Sequence, residues 1–147
     1  MTYLKEVSYE VYDDQIAETY TPDVSIMNKL VTVIVPTVGR PNYIKSTIDS
    51  ILMQDYCDIE VLISDNLPEL STRLILGESL DARIRIIERE RRHEFSEHMN
   101  LCLHDARGWY VMILSDDDLI SPNYVSSMVG LFSENEDGRV GLVSRKF

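Results

Sequence analysis

Tyr110-Val111-Met112-Ile113-Leu114-Ser115-Asp116-Asp117-Asp118 joins an apolar run directly to three consecutive acids. A run of that length and composition reads as a buried β-strand, so the acids fall at its C-terminal end. Open α/β sheets bind their ligands outside that edge. Three adjacent carboxylates repel one another, and a hard divalent cation with oxygen ligands relieves the repulsion. One reading of the stretch is therefore a Mg²⁺ or Mn²⁺ site that holds a phosphorylated ligand. The competing reading is a solvated acidic turn leading into the helix that Ser121-Pro122 can cap.

Outward from this stretch, strands and helices alternate. Val31-Thr32-Val33-Ile34-Val35 is a β-branched run ended by Pro36, and it predicts the first strand. Pro41 suits a first helical turn, and Ile44, Ile48, Ile51 and Leu52 then recur at helical spacing. Ile59–Ile63 is a second strand, broken by Ser64-Asp65-Asn66 and Pro68. A short helix over Leu70–Leu76 meets Gly77, and Ile84–Ile87 is a weaker third strand. Phe95, Met99, Cys102, Leu103 and Ala106 predict an apolar helix face, with Gly108 placed to stop it. Strand four covers Trp109–Leu114. A helix with Val125, Met128, Val129 and Phe132 on its apolar face follows, and Val140–Val143 reads as a fifth strand. This order predicts an α/β domain: a doubly wound, mostly parallel sheet with helices on both faces, Rossmann-like in architecture.

The chain has 147 residues, near the usual size of one domain, and its 44% apolar content is enough to build a core. Residues 1–29 form an acidic extension carrying Tyr3, Tyr9, Tyr12 and Tyr20, and the α/β domain occupies 30–147. A formal net charge of −11 excludes nucleic acid as the main partner, because a phosphate backbone needs a basic footprint. No run approaches the ~20 apolar residues of a membrane span, and the N-terminus lacks the apolar segment of a secretory signal. Cys57 and Cys102 are far apart, and His93, His98 and His104 have no metal-ligand spacing. They read as reduced, partly buried thiols and non-ligating histidines of a cytoplasmic protein.

Several α/β chemistries fail on particular residues. Pro36-Thr37-Val38-Gly39-Arg40 has one glycine where a dinucleotide site needs three, and no Gly-Lys-Ser/Thr phosphate loop exists. The first strand ends in Pro-Thr, not in the acids of an aspartyl-phosphate site. What remains at the C-terminal edge is Thr37, Val38, Gly39 and Arg40 after strand one, Asp65 and Asn66 after strand two, and Asp116, Asp117 and Asp118 after strand four. Asp65 is either a hydrogen-bond acceptor for a base or ribose, or the pivot of an Asx turn. Arg40 either faces a phosphate or base, or is solvated. Arg83, Arg85, Arg89, Arg91 and Arg92, interleaved with Glu88 and Glu90, read as a salt-bridged surface.

VTVIVPTVGRPNYIKSTIDSILMQ, IEVLISDN and EHMNLCLHDARGWYVMILSDDDLISPNYV, taken in this order, resemble the opening of an inverting family 2 glycosyltransferase of the GT-A fold. The resemblance covers roughly residues 30 to 145. It implies that Thr37, Val38, Gly39, Arg40, Asp65 and Asn66 line a nucleotide-sugar pocket. It also implies that one signature aspartate touches the ribose and that another binds Mn²⁺ or Mg²⁺ on the diphosphate. Asn100 matches an asparagine of the helix before the signature strand. Ser115 departs from the family's L-D-x-D-D, and two frames stay open. On one, Asp117 is the metal ligand; on a plain D-x-D frame, Asp116 and Asp118 are. The basic residue common before the helix asparagine is replaced by His98-Met99. The resemblance implies a metal-dependent transferase of sugar from a UDP-sugar to a saccharide or lipid-linked acceptor, as in surface-polysaccharide synthesis. The family's catalytic base lies beyond the signature, so this chain reads as a truncated donor-binding part that does not transfer sugar alone. A non-catalytic nucleotide-sugar-binding or scaffold module is the alternative, and a Mg²⁺-dependent phosphotransferase is a third reading.

Overall fold

Val31–Thr37 forms β1, and the computed structural model lays the other strands around it. The structure describes residues 29–40, 42–67, 72–77 and 80–134. β1 is followed by α1 (Ile44–Leu52), β2 (Ile59–Asp65), α2 (Thr72–Leu76), β3 (Ile84–Glu88), α3 (Phe95–Asp105), β4 (Tyr110–Ile113) and α4 (Tyr124–Glu134). The strands form one sheet of order β3-β2-β1-β4, and every pairing is parallel. The predicted extension 1–29 falls outside the described residues except for Lys29, and the predicted fifth strand at Val140–Val143 lies outside them entirely.

The strand order explains why both faces of the sheet carry helices. From β1 to β2 to β3 the chain steps in one direction across the sheet, then crosses back beyond β1 to form β4. Crossovers between parallel strands are right-handed, so reversing direction moves the connecting helix to the opposite face. One face accordingly buries Val31, Val33, Val35, Val61 and Ile63 beneath Ile44, Ile48 and Ile51 of α1 and Val125 and Val129 of α4. The other buries Ile34 and Leu62 beneath Cys102 of α3, with Met99 and Ala106 alongside. β1 and β2 are interior strands covered on both sides, which is why they read as nearly continuous apolar runs. Each fully buried Val, Ile or Leu contributes roughly 1.5–3 kcal/mol.

β4 departs from the expected buried strand. It spans Tyr110–Ile113, and Val111 and Ile113 are exposed. Pairing with Thr32 and Ile34 puts both side chains on the α3 face, but α3 packs over Ile34 and Leu62 and leaves this face of β4, an edge strand among the described residues, uncovered. The expected α3 stripe also shifts. Phe95 and Leu103 are exposed, whereas His98 is buried with Cys102, because polar partners wait for it beneath the helix. Gly108 does not stop α3, which ends at Asp105; it is small because the backbone of β1 passes beside it. Cys57 is exposed, not partly buried.

Candidate functional site

The chain reverses direction between β1 and β4, so their C-terminal ends flank the topological switch point, where a crevice forms. Thr37, the last residue of β1, is buried there, and its hydroxyl donates to Asp116 Oδ2 at 2.6 Å. Thr37 Oγ1 also accepts the Gly39 N–H at 3.1 Å. Gly39 has φ 74°, a conformation that costs other residues energy, and this turn aims Arg40 back over the edge. Arg40 Nη1 lies 2.7 Å from Asp117 Oδ2 and 3.5 Å from Asp116 Oδ1. Two acids of the triplet therefore converge on one guanidinium. Asp118 stands apart: it is exposed, and its backbone amide closes a turn on the Ser115 carbonyl at 3.2 Å. Val38, half-buried, bridges Thr37 and Gly39 in the same loop.

Buried polar residues of α1 and of the turn just after it hold the acidic loop. Thr47 Oγ1 donates to the Asp116 carbonyl at 3.0 Å. Gln54 Nε2 donates to the carbonyls of Ser50 and Ser121 at 3.0 and 2.7 Å, while its Oε1 accepts the Val125 N–H at 3.0 Å. The Asp55 N–H reaches the Pro122 carbonyl at 2.9 Å. Thr47 and Gln54 were not singled out by the sequence reading. Their signal was a threonine inside the stripe set by Ile44, Ile48 and Ile51, and a polar amide just past the helix end.

Asp65 pairs with Thr37 across the sheet and is 1% exposed. Its Oδ1 accepts the Leu67 N–H at 3.1 Å and its Oδ2 the Thr72 N–H at 2.7 Å. The first bond is an Asx turn, so the structural reading of Asp65 is present in full. Asn66 is buried too: its side-chain amide donates to the His93 carbonyl and accepts the His93 N–H, both at 2.9 Å. It ties the loop after β2 to the loop before α3 instead of presenting its amide to the crevice. Asn100 is exposed on α3.

Behind this wall lies a polar cluster. Arg89 Nε donates to Ser64 Oγ at 3.0 Å, and Ser64 Oγ is 2.7 Å from His98 Nε2. A hydroxyl carries one hydrogen and two acceptor lone pairs, so Ser64 can accept from Arg89 and still bond the imidazole, whose tautomer sets the direction of that second bond. Burial, and after it the nearby Arg89 charge, holds the His98 pKa below its ordinary value. Arg89 also pairs with Asp105 at 2.7 Å, and Arg85 with Glu60 at 2.6 Å. The basic stretch is salt-bridged as expected, but these two arginines brace the end of α3 from inside.

The family described as "Glycosyl transferase family 2" matches residues 32–147. The chain is 24% identical over 115 residues to glycosyltransferase GlyG of Streptococcus pneumoniae, covering 75% of this chain and 37% of that protein. It is 27% identical over 106 residues to the UDP-Glc:alpha-D-GlcNAc-diphosphoundecaprenol beta-1,3-glucosyltransferase WfgD of Escherichia coli, covering 72% of this chain and 42% of that one. It thus spans well under half the length of either relative. The crystal structure of S. aureus TarS 1-349 in complex with UDP-GlcNAc superposes with a TM-score of 0.60 at 20% identity, covering 78% of this chain and 37% of the TarS 1-349 chain. Mannosyltransferase PcManGT from Pyrobaculum calidifontis, in complex with GDP-Man and Mn²⁺, gives 0.58 at 24% identity, covering 80% of this chain and 36% of its own. The likeness to these two structures is one of fold.

Proposed function

Because this chain belongs to family 2 of the glycosyltransferases, we propose that its α/β domain binds the donor of a metal-dependent transfer from a UDP-sugar to a saccharide or lipid-linked acceptor. The observation that carries the reading is the convergence of Thr37, Arg40, Asp116 and Asp117 at the switch-point edge. UDP is favoured over GDP because UDP-glucose stands in the name of WfgD and UDP-GlcNAc is bound in the TarS complex, against one GDP-mannose complex. The WfgD name likewise supports a lipid-linked acceptor. Two free cysteines suit a reducing compartment, and no helix among the described residues is long and apolar enough to cross a membrane. The free thiols support a cytoplasmic setting. The match beginning at residue 32 supports a domain boundary near residue 30.

A divalent ion suits these residues. Among the described residues no group of three or more His, Cys, Asp or Glu is arranged to hold a metal, but Mg²⁺-type sites need only one or two carboxylates when phosphates and water complete the shell. Asp116 and Asp117 supply that pair, and the Arg40 guanidinium beside both marks the position as one for a cation. When bound, the ion would neutralise charge on the diphosphate leaving group. The chain's own residues do the remaining work: Thr37 and Thr47 orient Asp116, and Asp65 and Asn66 shape the wall on the β2 side. The catalytic base is unassigned.

Calorimetric titration with UDP, with and without Mn²⁺, tests this. Metal-dependent binding is expected, weakened at least tenfold by Asp117→Asn and reduced in Asp65→Ala. Failure to bind UDP in either condition would overturn the donor-site reading and leave a non-catalytic module, the alternative that Ser115 in place of the family's first acid favours.

A further inference from the structure

We propose that Arg40 is an exchangeable counter-ion, holding the place of the divalent cation between Asp116 and Asp117 until metal and donor displace it. The inference rests on the donor-site reading above. Its basis is the geometry of one side chain. Arg40 Nη1 reaches both carboxylates, at 2.7 and 3.5 Å. Of the two, the Asp116 side chain is only 7% exposed, and a carboxylate so placed needs a compensating charge.

The attachment of Arg40 suits exchange. Its backbone is fixed, because the Arg40 carbonyl accepts the N–H groups of Tyr43 and Ile44 at the start of α1, at 3.2 and 3.3 Å. Its side chain is not fixed in the same way: it is 49% exposed, and so is much of Asp117 at 42%. Ion pairs this open to water contribute about 1 kcal/mol or less. A divalent ion brings twice the charge in a smaller volume, and the donor diphosphate offers the displaced guanidinium a bidentate acceptor. Arg40 thus offsets the repulsion between the acids and orients them in the free protein, yet yields to the ion that replaces it.

Competition between two cations for one pair of carboxylates gives a sign opposite to that of an ordinary binding residue. In the free protein, Mn²⁺ binding without nucleotide, followed by loss of the free-ion paramagnetic resonance signal, should tighten in Arg40→Gln by about fivefold, the equivalent of a surface ion pair. Arg40→Lys, which keeps the charge, should stay near the parent, and Asp117→Asn should bind weakly whatever stands at 40. Unchanged or weaker Mn²⁺ binding in Arg40→Gln, or no Mn²⁺ binding by either protein, overturns the proposal. A parallel UDP titration at saturating Mn²⁺ separates it from the donor-site reading. Tighter Mn²⁺ binding in Arg40→Gln with no UDP binding by the parent sinks the donor site alone. Loss of UDP binding with Mn²⁺ affinity untouched makes Arg40 a donor contact and nothing more.

Discussion

A β-carbon at Gly108 would lie 2.5 Å from the Thr32 nitrogen, 2.6 Å from the Tyr110 carbonyl oxygen and 2.8 Å from that of Leu30. All three are backbone atoms at the start of the sheet and cannot turn aside as a side chain would. Thr32 also accepts the Gly108 N–H at 2.8 Å, which pins the loop where it is. Gly108→Ala should therefore destabilise the protein by about 1–3 kcal/mol or more, the range for overpacking, measured by urea unfolding; an unchanged midpoint would show that the loop can move away. The sequence marked Gly108 only as a helix stop, because crowding by Thr32, 76 positions earlier, leaves no local trace. Asp116, Asp117 and Arg40 were legible as residues, since charge after a strand end is a local pattern. Their pairing, and the exclusion of Asp118 from it, were not.

At the scale of elements, α1 and the turn just after it do two jobs that their sequence signals unequally. Ile44, Ile48 and Ile51 announce a helix face by their spacing, and all three are buried. The second job, holding the acidic loop through Thr47 and Gln54, involves partners about 70 residues away. Gln54→Leu removes two donated bonds and one accepted bond, leaving the Val125 N–H and the Ser121 carbonyl without that partner. A loss of about 1–3 kcal/mol is expected, together with faster hydrogen exchange at Val125 and weaker Mn²⁺ binding through a loosened loop. Unaltered exchange at Val125 would mean that α4 seats itself without Gln54. The buried face of α3 departs from its apolar stripe for a related reason. Periodicity counts apolar residues, but His98 goes inside because Ser64 offers it a hydrogen bond there, and Phe95 is left outside.

For the whole molecule, His98 links the fold to pH. The groups around it are Arg89 with its partner Asp105, His93, and Asp65 at the end of β2. The folded ring titrates below its ordinary value of 6.5, so between that lower value and 6.5 the unfolded chain binds more protons. Stability contributed by neutral His98 is complete above 6.5 and falls as pH drops through that window. Urea unfolding at pH 7.5 and 5.5, above most carboxylate titration, should show the loss, and His98→Gln should flatten the dependence even if it is less stable throughout. Equal slopes would place the titration elsewhere. The doubly wound parallel sheet, the order of its elements and the three loops that carry the candidate site residues were determined by the sequence alone, because apolar periodicity, strand breakers and charge after a strand end are all local. Only the tertiary structure decided that β4 is half exposed, that Asp65 and Asn66 brace loops, and that Arg40 sits between two aspartates. Each depends on which distant segments the strand order brings side by side, and that choice is made by burial summed over the whole chain.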